Sequence, residues 1–365
     1  MTFTPETARA WVDIDLGALR ANARALAAVS GSRLLPMVKA NGYGLGAAAA
    51  ARALEPLDPW GYGVASVEEG AALRAEGIGR PILVVSPLLP AAIDGHLAHD
   101  LRPTIGDPAA LGAWCAATDR PFHLELDTGM GRAGIRWDDP AVLSACIGML
   151  QSATGWEGIF THFHSAETDP PSADAQWERL QQVLGRLPRR PALIHAANSA
   201  GALRGRAFAA DLIRPGIYLY GGSAGGRGPA PTVVARLHTR VLAVRSIPAG
   251  QTVSYGATWR APRDTRVATL AVGYADGFPR STEGSSARPP RLVELGDDLF
   301  PVVGRVTMDM TMIDIGAADV SPGDVATVYG GRVSLDQQAA AAGTISYELL
   351  TSLGARVPRR YGSPA

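Results

Sequence analysis

Leu34-Leu-Pro-Met-Val-Lys-Ala-Asn-Gly-Tyr-Gly-Leu-Gly46 decides the fold. An apolar run, Leu34–Val38, reads as a buried strand that ends in a lysine and enters a glycine-rich turn. The same arrangement recurs downstream. Gly61–Ala65, Pro81–Val85, Phe122–Leu126, Gly158–His162 and Leu193–His195 also read as buried strands, separated by Ala/Leu-rich, helix-like stretches. Strands alternating with helices imply a parallel sheet. So many units before residue 220 favour an α/β chain built as a (β/α)8 barrel over a doubly wound sheet. No GxGxxG follows an early strand, which also counts against a dinucleotide fold. Ser66 and Glu69 fit a capping box at one helix start.

A Gly/Pro-rich stretch, residues 221–231, reads as a linker. Beyond it, Val233–Ile247, Arg266–Gly273, Leu292–Leu295, Val306–Ile315 and Val325–Tyr329 predict strands, and Ser334–Ala342 and Tyr347–Leu353 short helices. The expected division is a barrel over 12–230 and a mostly β C-terminal domain over 231–365, joined by the N-terminal segment 1–11. No internal repeat of fixed period is visible.

Bulk properties narrow the function classes. The 365 residues are 47% apolar with formal net charge zero. That balance gives no electrostatic case for nucleic acid or an anionic membrane. No apolar stretch is long enough to span a bilayer, and the opening residues show no basic stretch followed by an apolar run, so no secretory signal is expected. The two cysteines, Cys115 and Cys146, lack metal-ligand spacing, so no metal is expected and a reducing cytoplasm is the simplest compartment.

In a parallel barrel the C-terminal strand ends line the active site. Lys39 stands at such an end, where an apolar base lowers an amine's pKa and frees it to attack a carbonyl. The alternative is a lysine snorkelling to water. Arg132 lies in the loop 127–134 that follows another strand. His162, Asn198, Ser199 and Arg214 also fall at or just past strand ends. Ser199 and the Gly216–Ile217 backbone could donate to a phosphate. Against this, His162 alone fits a satisfied core histidine, and Tyr255 a turn aromatic. Met308, Met310 and Met312 would share one face of a strand, a pattern common in cores.

Eight segments in order, VKANGYGLG, DTGMGRAG, GIFTHF, HAANSA, RPGIYLYG, SYGATW, VGYADGFPR and GRVTMDMTMID, resemble the alanine racemase family across nearly the whole chain. The resemblance implies a barrel that binds pyridoxal phosphate at its C-terminal strand ends and a head-to-tail homodimer with shared sites. It implies a two-base racemisation of alanine, with Lys39 as cofactor lysine and one base and Tyr255 of the partner subunit as the other. By resemblance, Tyr43, Ser199, Gly216 and Ile217 are phosphate ligands, with Asn198 beside them. Arg214 faces the cofactor's ring nitrogen, and His162 links Arg214 to the tyrosine. Arg132 and the Met308 backbone contact the substrate carboxylate, with Asp309 beside Met308. Tyr274 is an entry-channel tyrosine.

Three positions depart from the family pattern. Leu45 stands where histidine is usual. Ala355 replaces a tyrosine that in some members reaches the phosphate. Glu125 stands where many members have a carbamylated lysine that holds the arginine. Residues 123, 125 and 127 of one strand share a face, so Glu125 is expected to anchor Arg132 as an unmodified anion. Racemisation of serine or a broader set, a decarboxylase on a similar barrel, and a non-catalytic pyridoxal-phosphate carrier are the competing readings. The absence of a C-terminal-domain cysteine disfavours the decarboxylase. The long second domain bearing Tyr255 disfavours the carrier.

Overall fold

Eight short strands close a parallel ring in the computed structural model, which describes residues 7–225, 227–280 and 289–362. In chain order they are β1 (Arg33–Leu34), β2 (Tyr62–Val64), β3 (Ile82–Pro87), β4 (Arg102–Ile105), β5 (Phe122–Asp127), β6 (Trp156–Phe160), β7 (Leu193–His195) and β8 (Leu212–Ile213). From β2 onward each pairs with the next in parallel. β8 returns to β1. The last gap is closed where the chain just past β1 meets β2: Met37 bridges Gly63, and Val38 N–H donates to Gly63 O at 2.9 Å. This is the expected (β/α)8 barrel. Its strands read as near-continuous apolar runs because helices cover them outside and side chains fill the interior.

The second layer is built on one long strand, Ala235–Ile247. It pairs antiparallel with Ala10–Ile14, Thr265–Leu270 and Val325–Tyr329. Register shifts at Leu237/His238 and Val241/Ala243 bend it, letting one strand serve successive neighbours. Ala10–Ile14 also pairs in parallel with Arg359–Tyr361. All five of its residues pair in the C-terminal sheet, so Val12, Asp13 and Ile14 join it from beyond the expected division at residue 11. Residues 1–6 and 363–365 of the segments assigned to this domain, and Gly226 of the linker, lie outside the described residues.

Two local expectations are corrected. The Val306–Ile315 strand is only Thr311–Asp314. Residues 307–310 form a turn closed by Thr307 N–H to Met310 O at 2.9 Å. Met308 and Met310 are consequently exposed rather than aligned with Met312 on a buried face. At the Ser66 helix, the serine does cap Glu69 N–H at 3.4 Å. The Glu69 carboxylate, however, does not return to Ser66. It accepts from Ala65 N–H at 2.7 Å and from Ala40 N–H at 2.6 Å, so it ties two barrel loops together.

Candidate active site

The turn after Met37-Val38 is left-handed. Ala40, Asn41, Gly42, Tyr43 and Gly44 all have φ between 51° and 81°. Three of them are not glycine, and each L-residue held there costs about 1–2 kcal/mol. The surroundings hold the turn in place. Glu69 takes the Ala40 N–H, Asn41 Oδ1 accepts from Ala47 N–H at 3.1 Å, and Gly42 N–H donates to Val38 O at 2.7 Å. Tyr220, fully buried, donates to Met37 O at 2.9 Å and stacks on Tyr43 at 4.7 Å between ring centroids. The result aims Lys39 and Tyr43 at one cavity.

That cavity holds about 250 Å³ at the C-terminal strand ends. Lys39, Tyr43, Glu125, Arg132, His162, Asn198, Ser199, Arg214 and Gly216 all line it. The Lys39 amine is pushed below its usual range, first by burial, then by Arg132, against the opposing pull of Glu69. A lowered amine is a better nucleophile and a usable base near neutrality.

Arg214 is buried at the cavity floor. Its NH1 donates to His195 Nδ1 at 2.6 Å and to His195 O at 3.0 Å. NH2 donates to Thr161 O at 2.7 Å and Ala196 O at 3.0 Å, with His162 Nδ1 at 3.3 Å. Nε–H is the one guanidinium donor with no acceptor among the described residues. Burial pushes this guanidinium down to about 10, with Glu125 pulling the other way, so it stays a cation at neutral pH. Burial and then Arg214 and Arg132 push His162 down to about 3, so it is neutral.

Glu125 is 4% exposed, and its Oε2 has no hydrogen-bond partner in the described structure. The expected Glu125–Arg132 hydrogen bond is not formed. Burial raises the carboxyl above its ordinary range, while Arg214 first and Arg132 second favour its charge. It is an acidic side chain between two arginines, bonded to neither.

A compact polar cluster lines the same cavity as Lys39. Gly216 N–H donates to Ser199 Oγ at 2.9 Å. A Cβ at Gly216 would lie 2.2 Å from the Tyr43 hydroxyl, so only glycine lets that hydroxyl approach. Asn198 caps the helix Ser199–Leu203 through Gly201 N–H at 2.9 Å. Ile217 is buried next to Gly216. Tyr347 and Thr351, from the helix Ser346–Thr351, also face this cavity and were not found by sequence reasoning. Their only signal is a helix with a tyrosine one turn from a threonine, which is indistinguishable from packing. Leu45 is buried, and its carbonyl accepts from Tyr361 Oη at 3.0 Å. Ala355 is exposed and does not line the cavity.

Tyr255, Met308, Asp309 and Tyr274 do not line the cavity. They stand on the C-terminal domain, where Tyr255 is 71% exposed, Met308 53% and Tyr274 40%. Hydrogen bonds hold the backbone around Tyr274, Met308 and Asp309. Asp276, buried, accepts from Arg9 and Arg356, and Arg356 also reaches Asp309 Oδ1 at 2.6 Å. Tyr274 N–H and Ala275 N–H donate to Thr307 O and Met308 O, both at 3.0 Å. The Met308 N–H finds no acceptor among the described residues.

Comparison with known proteins gives one answer over the whole chain. Residues 14–224 match the family model "Alanine racemase, N-terminal domain", and residues 234–361 match "Alanine racemase, C-terminal domain". An alanine racemase of Acidiphilium cryptum is 40% identical, covering 95% of this chain and 97% of its own. One from Deinococcus radiodurans is 39% identical, with 97% and 99% covered. Among solved structures, the alanine racemase of Streptomyces lavendulae superposes with a TM-score of 0.89 at 31% identity, covering 100% of this chain and 99% of its own. The biosynthetic alanine racemase of Pseudomonas aeruginosa gives 0.87 at 33%, with 97% and 99% covered.

Proposed function

The chain belongs to the alanine racemase family, and from that premise we propose how its residues interconvert L-alanine and D-alanine. The carrying observation is the convergence of Lys39, Arg132, Arg214, Ser199 and Gly216 on one cavity at the barrel's C-terminal strand ends.

The cavity suits pyridoxal phosphate. Tyr43, Ser199 and the Gly216–Ile217 backbone would hold the phosphate, next to Asn198. Lys39 has the lowered amine needed to carry the cofactor covalently. Arg214 offers Nε–H, its one uncommitted donor, to the ring nitrogen. A permanent cation there keeps that nitrogen from taking a proton. When bound, the cofactor supplies a sink for the electron pair left on Cα as its proton departs.

The remaining work belongs to the chain. Lys39 Nζ takes or returns the Cα proton on one face. Tyr255 of the partner subunit, with its phenolic oxygen, does so on the other. Two such groups on opposite faces let a proton taken from one face be replaced on the other. Arg132 holds the substrate carboxylate with the free backbone N–H of Met308 of the partner subunit. Asp309 and its arginine ties set the position of that backbone, and Tyr274 flanks the entrance. His162, neutral and 3.3 Å from Arg214, links the guanidinium toward the tyrosine. Glu125 supplies negative potential to both arginines without bonding either.

Leu242, Tyr255 and Met310 stand exposed around one depression of the C-terminal domain, and such a grouped apolar surface supports the head-to-tail homodimer, since it marks an interface. Borohydride reduction of the cofactor-loaded protein, followed by peptide mapping, tests the site. Label on Lys39 is expected, and label on another lysine overturns the assignment.

A further inference from the structure

We propose that Glu157, at the opposite end of the barrel interior from the cavity, is a positioning residue for Arg214. It acts through a one-way chain of hydrogen bonds across the buried His123 and His195. The proposal deepens the reading above, since it rests on Arg214 facing the cofactor.

The chain crosses the barrel. Arg214 NH1 lies 2.6 Å from His195 Nδ1. His195 Nε2 lies 2.8 Å from His123 Nδ1. His123 Nε2 lies 3.2 Å from Glu157 Oε2, and Glu157 also accepts from Arg102 Nε at 3.3 Å. Both imidazoles are fully buried. Phe160 stacks on His195 at 4.8 Å, and Trp60 lies 5.3 Å from His123. Gly158 makes room for the relay, because a Cβ there would lie 2.6 Å from His123 Nδ1.

The two ends dictate the direction of every bond. A guanidinium can only donate and a carboxylate can only accept. His195 Nδ1 must therefore be unprotonated, so its proton sits on Nε2 and is donated to His123 Nδ1. His123 in turn carries its proton on Nε2 and donates it to Glu157. Both rings are neutral and each has one tautomer. The charge states agree with this. Burial holds His195 well below its usual range, with Arg214 adding to the effect. Burial also lowers His123, although Glu157 opposes it. Burial raises the Glu157 carboxyl, but His123 and Arg102 outweigh that and hold it in the anionic range.

Without the Glu157 acceptor, the chain is one bond short in either direction. In the original direction, a buried His123 N–H is stranded. In the reverse direction, His195 Nδ1–H faces an Arg214 N–H 2.6 Å away, donor against donor. Arg214 then loses one of its fixed acceptors, and its spare Nε–H is no longer held toward the cavity. A side chain that never touches the cofactor thereby sets the geometry of one that does.

The test is histidine-labelled ¹⁵N NMR on the full chain, cofactor-loaded and cofactor-stripped. His123 and His195 are expected as Nε2–H tautomers, unchanged between about pH 6 and 8. An Nδ1–H tautomer or an imidazolium at His195 would overturn the proposal, and this measurement needs no variant to fold. Glu157→Met removes the acceptor at similar length, and Glu157→Gln keeps an accepting oxygen. The methionine variant should weaken pyridoxal-phosphate affinity roughly tenfold and lose the single His195 tautomer. The glutamine variant should stay within about twofold of wild type. Wild-type affinity and tautomers in Glu157→Met would refute the role. The expected tautomers in a protein that binds no pyridoxal phosphate would leave the relay standing and sink the cofactor reading instead.

Discussion

The barrel rim and the exposed face of the C-terminal sheet carry the two halves of one proposed site, and they are finished to different degrees. On the rim, Arg214 is buried and has four N–H groups committed to protein acceptors. Lys39 stands on a left-handed turn tied down by Glu69 and Asn41. On the sheet face, Tyr255 and Met308 project outward, more than half exposed. The backbone carrying Met308 is tied to Tyr274 and Ala275, beside the buried Asp276 and its two arginines, and the turn carrying Tyr255 is held by the bond from Ser254 Oγ to Arg305 O. The contrast teaches that one chain organises the rim by itself but leaves the other proposed half facing outward, which is the arrangement a second copy covering that face would complete.

Lys39→Ala breaks the rim half outright. It should lower racemisation by roughly 10⁴-fold or more, since it would remove both the proposed covalent anchor and one of the two proposed bases. The measurement is turnover from each enantiomer beside cofactor retention on gel filtration. Retained activity would place the base elsewhere.

Tyr255→Phe breaks the other half and should discriminate between directions. Loss of the α-hydrogen from L-alanine should fall about 10²–10⁴-fold, while exchange of the D-enantiomer's α-hydrogen through Lys39 partly survives. Solvent deuterium incorporation reports each. The same pair sharpens the comparison further. Mixed with Lys39→Ala, Tyr255→Phe should regain activity, because one of the two sites in a mixed dimer is intact. No recovery, with subunit exchange demonstrated, would mean each chain completes its own site.

Glu69→Gln asks how much the rim depends on its brace. The amide can satisfy only one of the two N–H groups that Glu69 now accepts, at Ala40 and Ala65. The expected cost is about 1–2 kcal/mol at the Lys39 turn, read as a roughly tenfold weaker cofactor affinity with the barrel's circular dichroism unchanged. Unaltered affinity would show that Asn41 and Tyr220 suffice.

The smallest effect concerns Glu125. Its carboxyl is raised in the folded chain by burial. A group raised on folding contributes stability fully present below its unfolded value and lost as pH rises through the folded one. Wild type should therefore lose stability relative to Glu125→Gln as pH climbs above the ordinary carboxylate range, measured as a widening Tm difference between about pH 4 and 8. A constant difference would mean Glu125 finds a partner that keeps it anionic at no cost.

Much of this was legible in the chain, because backbone demands leave local marks. The strand–turn alternation gave the barrel, and the strand-end polar residues gave Lys39, Arg132, Ser199 and Arg214. The failures share a cause. The spacing of Glu69 from Ser66 predicts a local cap, yet its carboxylate bridges to a loop 29 residues away. Alternation alone puts Met308 and Met310 on a strand, because it carries no mark of the turn that interrupts it. Tyr347 and Thr351 enter the cavity from a helix whose pattern says only that it packs.

By itself the sequence determined the order of the strands, the glycine at 216 and the lysine at a strand end, since apolar period and missing side chains act within a few residues. Only the tertiary structure decided that Glu125 lies between two arginines while bonding neither, that His123, His195 and Glu157 line up behind Arg214, and that Tyr255 is left facing outward. Barrel closure sets those relations by joining strands far apart in the chain. Their hydrogen bonds and charges depend on distances through space, which spacing along the chain does not encode.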